Sequence, residues 1–191
     1  MKHKKFVKYR RKYEGKTDYR KRLKLLSSNI PRLVVRRMLN NILLQVIKYE
    51  PNGDHVIVTT HSREITKFGW KGHKGSLPAA YLTGLLCGKK AKAKVKKLIL
   101  DLGLQSPIKG SVVYAALKGV VDAGIDVAHS AEIYPSEERL KGKHIADYAK
   151  LLSQDKVLYE KRFSNYLKLN LKPEEIVDHF EKIKLKIMEL K

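Results

Sequence analysis

The positive charge of this chain is crowded at one end, and that crowding limits what the end can fold into. Residues 1–37 carry 15 Lys and Arg against 2 Asp and Glu, a net of +13 out of +22 for all 191 residues. Residues 38–135 carry 13 against 7, and residues 136–191 carry 13 against 10. Charge so concentrated repels itself and calls for a polyanion. Each phosphate it neutralises releases condensed counterions, so affinity falls steeply with salt. A membrane-surface tail is the rival reading, but the segment has no consistent apolar face for lipid.

From Lys2 to Lys16 there is little periodicity, and Phe6, Tyr9 and Tyr13 interleave with Lys8, Arg10, Arg11 and Lys12. Such a segment cannot pack a core alone and is expected to order on its partner. Rings and guanidinium planes stack on unpaired bases, which suits RNA better than duplex DNA. Thr17 or Asp18 then caps a short helix to about Ser27, with Tyr19, Leu23 and Leu26 set against Arg20, Lys21, Arg22 and Lys24. Residues 1–29 are therefore read as a basic RNA-binding arm.

The remainder has the composition of a globular domain, with 43% hydrophobic residues overall. No apolar run reaches membrane-span length, and the charged N-terminus is not a secretory signal. One cysteine offers neither an internal disulfide nor a zinc spacing, which suits a reducing cytoplasm. Three strands are expected over Arg32–Leu39, Ile42–Tyr49 and His55–Thr60, joined by turns at Asn40-Asn41 and Pro51-Asn52-Gly53-Asp54. Leu33 and Val35 share one face of the first strand, and Arg32, Val34 and Arg36 the other. Arg36 and Arg37 adjoin the arm, and either extend its RNA surface or belong to an ordinary solvated strand face.

The loop from Ser62 to Gly75 has no GK[ST], so its glycines do not make a nucleotide loop. Lys71, His73 and Lys74 are its expected phosphate contacts. Ser76 caps a helix with Pro78 in its first turn, and Gly84 and Gly88 are expected to let it pack closely on the sheet. A strand at Leu98–Leu102, a helix from Ser111 to Ala123 and a strand at Ile125–Val127 complete an α/β core over residues 30–134. Residues 135–191 are read as a helical extension. It comprises Glu137–Leu152, split near Gly142, an irregular Tyr159–Leu171, and a last helix after Pro173. Ile176, Val177, Phe180, Ile183 and Ile187 form an apolar stripe on that helix. Whether the stripe docks on this core or on a neighbour stays open.

Several runs resemble the ribosomal protein family L-eighteen of the large subunit, in its archaeal form, whose eukaryotic counterpart is called L-five. The first is Arg11-Lys12-Tyr13-Glu14-Gly15-Lys16-Thr17-Asp18-Tyr19-Arg20-Lys21-Arg22-Leu23. Pro31-Arg32-Leu33-Val34-Val35-Arg36 follows, then Phe68-Gly69-Trp70-Lys71 with Ala79-Ala80-Tyr81-Leu82-Thr83-Gly84. Leu98 to Leu104, Lys109 to Gly119, Asp122-Ala123-Gly124 and Arg139 to Ala146 continue the match in order. The chain departs at Met38-Leu39-Asn40-Asn41, where relatives carry a more polar turn.

The resemblance implies a mixed RNase-H-like sheet, in which the antiparallel three-strand meander is followed by α-β-α-β. It implies binding to 5S rRNA and a place in the central protuberance of the large subunit in the cytoplasm, beside 23S-type rRNA and neighbouring ribosomal proteins. Carried over by position, Arg10, Arg11, Lys12, Lys16, Arg20 and Arg22 would touch 5S rRNA, and Arg32 and Arg36 would extend that contact. Tyr9, Tyr13, Tyr19 and Lys21 complete the expected surface.

Such a fold also raises a nuclease reading, since nucleases of this kind hold metal ions with carboxylates. Asp101, Asp122, Asp126 and Glu132 are the candidates, but the meander strands have no acid in their interiors. Asp101 is read instead as capping the loop after its strand. No HxxxH or HExxH spacing and no triad stands out, so neither enzyme activity, cofactor, metal nor small-molecule substrate is expected. A DNA-compacting protein fits the charge, though not the ordered motifs.

Overall fold

The computed structural model of the chain describes residue 7 and residues 9–190; the expectations for Phe6 and Lys8 fall outside these residues. Short helices α1 (Arg10–Tyr13) and α2 (Tyr19–Leu26) precede strands β1 (Arg32–Arg37), β2 (Ile42–Lys48) and β3 (His55–His61). Helix α3 (Leu77–Lys92), strand β4 (Lys97–Asp101), helix α4 (Val112–Asp122) and strand β5 (Asp126–Val127) follow. The sheet is mixed, in the order β3-β2-β1-β4-β5. The meander is antiparallel, and β4 and β5 add to β1 in parallel, as the strand–helix–strand pattern implies. Strand β1 stops at Arg37 because Met38 N–H donates to Asn41 O at 2.8 Å and closes the turn early.

Alternation decides which face is covered. Leu33, Val35, Ile42, Leu44, Val46 and Val58 are buried in one core with α3 and α4. Helix α3 is buried almost all round, because it contacts the sheet, α4 and the C-terminal helices together. Its glycines face α4, which corrects the expectation that they face the sheet. A Cβ at Gly84 would lie 2.0 Å from Ala116 O, and one at Gly119 of α4 would lie 2.2 Å from Tyr81 O. The two backbones approach so closely that side chains are excluded from the crossing.

Residues 135–191 form α5 (Glu137–Lys141), α6 (Lys143–Leu152), α7 (Lys156–Lys168) and α8 (Ile176–Met188). The split at Gly142 is where the sequence places it, with φ of 92°. The expected irregular stretch is instead α7, broken only at Phe163 (φ −103°, ψ 16°). Asp155 caps it by accepting from Leu158 N–H at 3.1 Å. Its aromatics, poor helix formers alone, are secured by packing: Phe163 is buried with Tyr148, Tyr159 and Tyr166 rings at 6.0, 5.3 and 5.8 Å. The stripe on α8 docks on this core. Ile176, Phe180, Ile183 and Ile187 are buried against it, Val177 is half-buried, and the Phe180 ring lies 5.5 Å from Tyr81.

Candidate nucleic-acid interface

The helices cover one face of the sheet, and the arm lies over the other. Asp18 starts α2: its Oδ1 accepts from Arg20 N–H at 3.0 Å and Lys21 N–H at 3.2 Å. The Lys21 hydrogen bond chiefly holds its carboxyl below the ordinary value, against a smaller effect of burial. Upstream, Glu14 pairs with both Arg10 and Lys16 at 2.8 Å, and Arg11 Nε donates to Thr17 Oγ1 at 2.9 Å. Lys12, Arg20 and Lys21 are exposed and have no carboxylate partner among the described residues. Tyr9 and Tyr13 are exposed, and Tyr9 packs on the half-buried Tyr19 at 4.9 Å.

A ladder of alternating charge ties α2 to the sheet. Arg22 clasps Asp54 through both terminal nitrogens, at 3.0 and 2.8 Å. Asp54 Oδ2 also accepts from Arg32 at 2.8 Å, and Arg32 reaches Asp101 Oδ2 at 2.7 Å. Arg36 closes the series by donating to Asp101 O at 3.0 Å. Burial pushes the Asp54 carboxyl up, but the hydrogen bond from Arg22 and the charge of Arg32 outweigh it and leave the group lowered. Asp101 caps the following loop as expected, accepting from Gly103 N–H at 2.8 Å, and the sequence gives no hint of its second task of holding Arg32.

This geometry sorts the expected contacts. Arg32 is only 3% exposed, and both of its terminal nitrogens are committed to carboxylates rather than presented to a partner. Arg22 is likewise engaged, and it pins α2 in place. The arm and sheet together form a half-open cavity of about 850 Å³ that Arg11, Lys16, Lys21, Arg22, Arg32 and Arg36 all border. Tyr19 is in its wall too.

Arg37 is exposed at the end of β1. Beside that end, Gly75 lies against Asn40 of the β1–β2 turn, so the loop bearing Lys71, His73 and Lys74 reaches the same rim. Lys71 N–H donates to His179 Nε2 at 3.1 Å, and His179 stacks on Trp70 at 5.2 Å, so α8 braces this loop. His73 Nδ1 accepts from Gly75 N–H at 3.2 Å, and burial, with Lys74 beside it, lowers its pKa. Burial thus favours the neutral, hydrogen-bonding form of His73.

Lys24, already read as part of the basic arm, lines the cavity too. Asp54, Gln45 and Gln105 also take part in the ladder or the cavity wall, and nothing in their sequence context assigned them a functional role. Gln45 alone carried a signal, as the one polar residue among the first six of β2. Among the described residues no cluster of three or more His, Cys, Asp or Glu stands ready for a metal ion. The family model for ribosomal large-subunit proteins 60S L5 and 50S L18 matches residues 3–98, which take in the arm, the meander and α3.

Proposed function

We propose, from the premise that the chain belongs to this family of large-subunit ribosomal proteins, that it binds 5S rRNA and anchors it in the central protuberance of the cytoplasmic ribosome. The observation that carries the reading is the family match, which runs through the basic arm from residue 3 onward. The protein acts as a structural, non-catalytic constituent of archaeal type, on an RNase-H-like arrangement of the sheet. Large-subunit 23S-type rRNA and neighbouring ribosomal proteins complete its partners.

The mechanism follows from the two kinds of cation in the site. Lys12, Arg20 and Lys21, unpaired with carboxylates among the described residues, neutralise phosphates and supply salt-sensitive affinity. Arg22 and Arg32 hold the arm on the sheet, so that those charges meet the RNA already in register. Arg36, Arg37, Lys71, His73 and Lys74 continue the contact along the rim. The deep, narrow major groove of A-form RNA hides base edges, so shape and unpaired bases give specificity. The test is a gel-shift titration against 5S rRNA and a structured RNA of equal length at several salt concentrations. A 5S preference that survives rising salt is expected. Equal binding to both RNAs, lost together with salt, would leave only charge and defeat the 5S assignment.

A further inference from the structure

We propose that the cavity between α2 and the outward face of the sheet is a pocket for one unpaired nucleotide of the bound RNA. The proposal rests on the RNA-binding reading above and adds to it a seat for a base. At about 850 Å³ the space has the size of pockets that enclose small organic ligands. Its wall has two chemistries. Val34, Ile47, Leu25 and Leu100 supply an apolar surface, whereas Arg11, Lys16 and Lys21 supply charge from the arm. Phosphate contact alone gives no reason for the apolar half, and a paired duplex has no base free to enter. A nucleotide swung out of a loop matches both halves, with its base on the apolar wall and its phosphate toward the arm.

Two further observations point to a ligand with polar edges. Arg32, almost wholly buried, borders the cavity, and its Nε has no acceptor among the described residues. A buried donor left unpaired is costly, and a base or ribose oxygen that reached it through a small shift of the wall would relieve it. Gln45 and Gln105 also line the space. Their amide nitrogens make only long contacts of 3.4 Å, to Thr59 Oγ1 and Val35 O, and neither amide oxygen accepts a hydrogen bond among the described residues. Such amides can pair with the edge of a base.

Val34→Phe and Ile47→Phe fill the pocket from the outward face and leave every arm cation in place. Each variant, with its fold checked by thermal melting, is titrated with 5S rRNA and with a fully paired RNA duplex at several salt concentrations. The expected result is roughly tenfold weaker binding to 5S rRNA, as for the removal of one stacked base, with duplex affinity and salt slope unchanged. Undiminished 5S affinity in a folded variant overturns the proposal, as does equal weakening on both RNAs, which would mean a displaced arm. A second measurement uses the unaltered chain and needs no 5S preference: amide shifts are followed by NMR during titration with the four nucleoside 5′-monophosphates. Saturable shifts at Val34, Gln45, Ile47 and Gln105 support the pocket. Shifts confined to the arm lysines overturn it, whatever the gel-shift says of 5S rRNA.

Discussion

Arg32 lies between Asp54 and Asp101 with 4% of its side chain exposed, and Asp101 keeps 8%. Removing Asp101 leaves the enclosed Arg32 with Asp54 as its one carboxylate, so one face of the guanidinium loses its acceptor away from water. Asp101→Ala is therefore expected to cost about 1–3 kcal/mol, read from urea melts. Replacing both partners together, Arg32→Met with Asp101→Leu, should recover much of that stability, because no orphaned charge remains. If Asp101→Ala melts like the parent, the Asp101 contact adds little and Asp54 alone holds Arg32 in place. The sequence showed that β1 carries arginines on one face, but not which would be consumed internally. The deciding partner is 69 positions away, and only the parallel register of β1 with β4 brings it alongside.

Among the elements, those with a strong period were legible and those held by packing were not. The i, i+4, i+7, i+11 spacing of Ile176, Phe180, Ile183 and Ile187 announced α8, though not the α3 surface that receives it. Helix α7 gave no clear period, and its aromatics read as loop because their partners lie on a neighbouring helix and turn. The two glycines of α3 were legible as signs of a close approach, but the sheet was the wrong neighbour. Their contact with α4 carries a prediction of inverted sign. In an exposed helix Gly→Ala stabilises by about 1 kcal/mol. Gly84→Ala drives a methyl into Ala116 O instead, and is expected to cost at least about 1–3 kcal/mol in the same melts. A neutral or stabilised variant would show that α3 and α4 separate readily, and that their crossing does not fix the sheet's covered face.

At the scale of the whole molecule, stability and affinity are drawn from different parts of the chain. The core joins the meander, α3, α4 and α8, whereas no residue before Arg32 is buried among those described. The arm is attached by Arg22 and the Asp18-capped helix, both downstream of residue 16. Deleting residues 1–16 removes eight of the 41 basic groups and one acid, but leaves that attachment whole. The shortened protein should keep its melting temperature within a few degrees, since a change of 1 kcal/mol moves a domain of this size by only about 2–4 °C. Its RNA affinity should fall, and the slope of log affinity against log salt should flatten by about 0.7–0.9 for each phosphate that is no longer neutralised. Unfolding on truncation would make the arm part of the core and defeat this division. Unchanged affinity and slope would move the RNA surface to α2 and the sheet rim, where Arg20, Lys21, Arg36, Arg37, Lys71 and Lys74 would have to carry it.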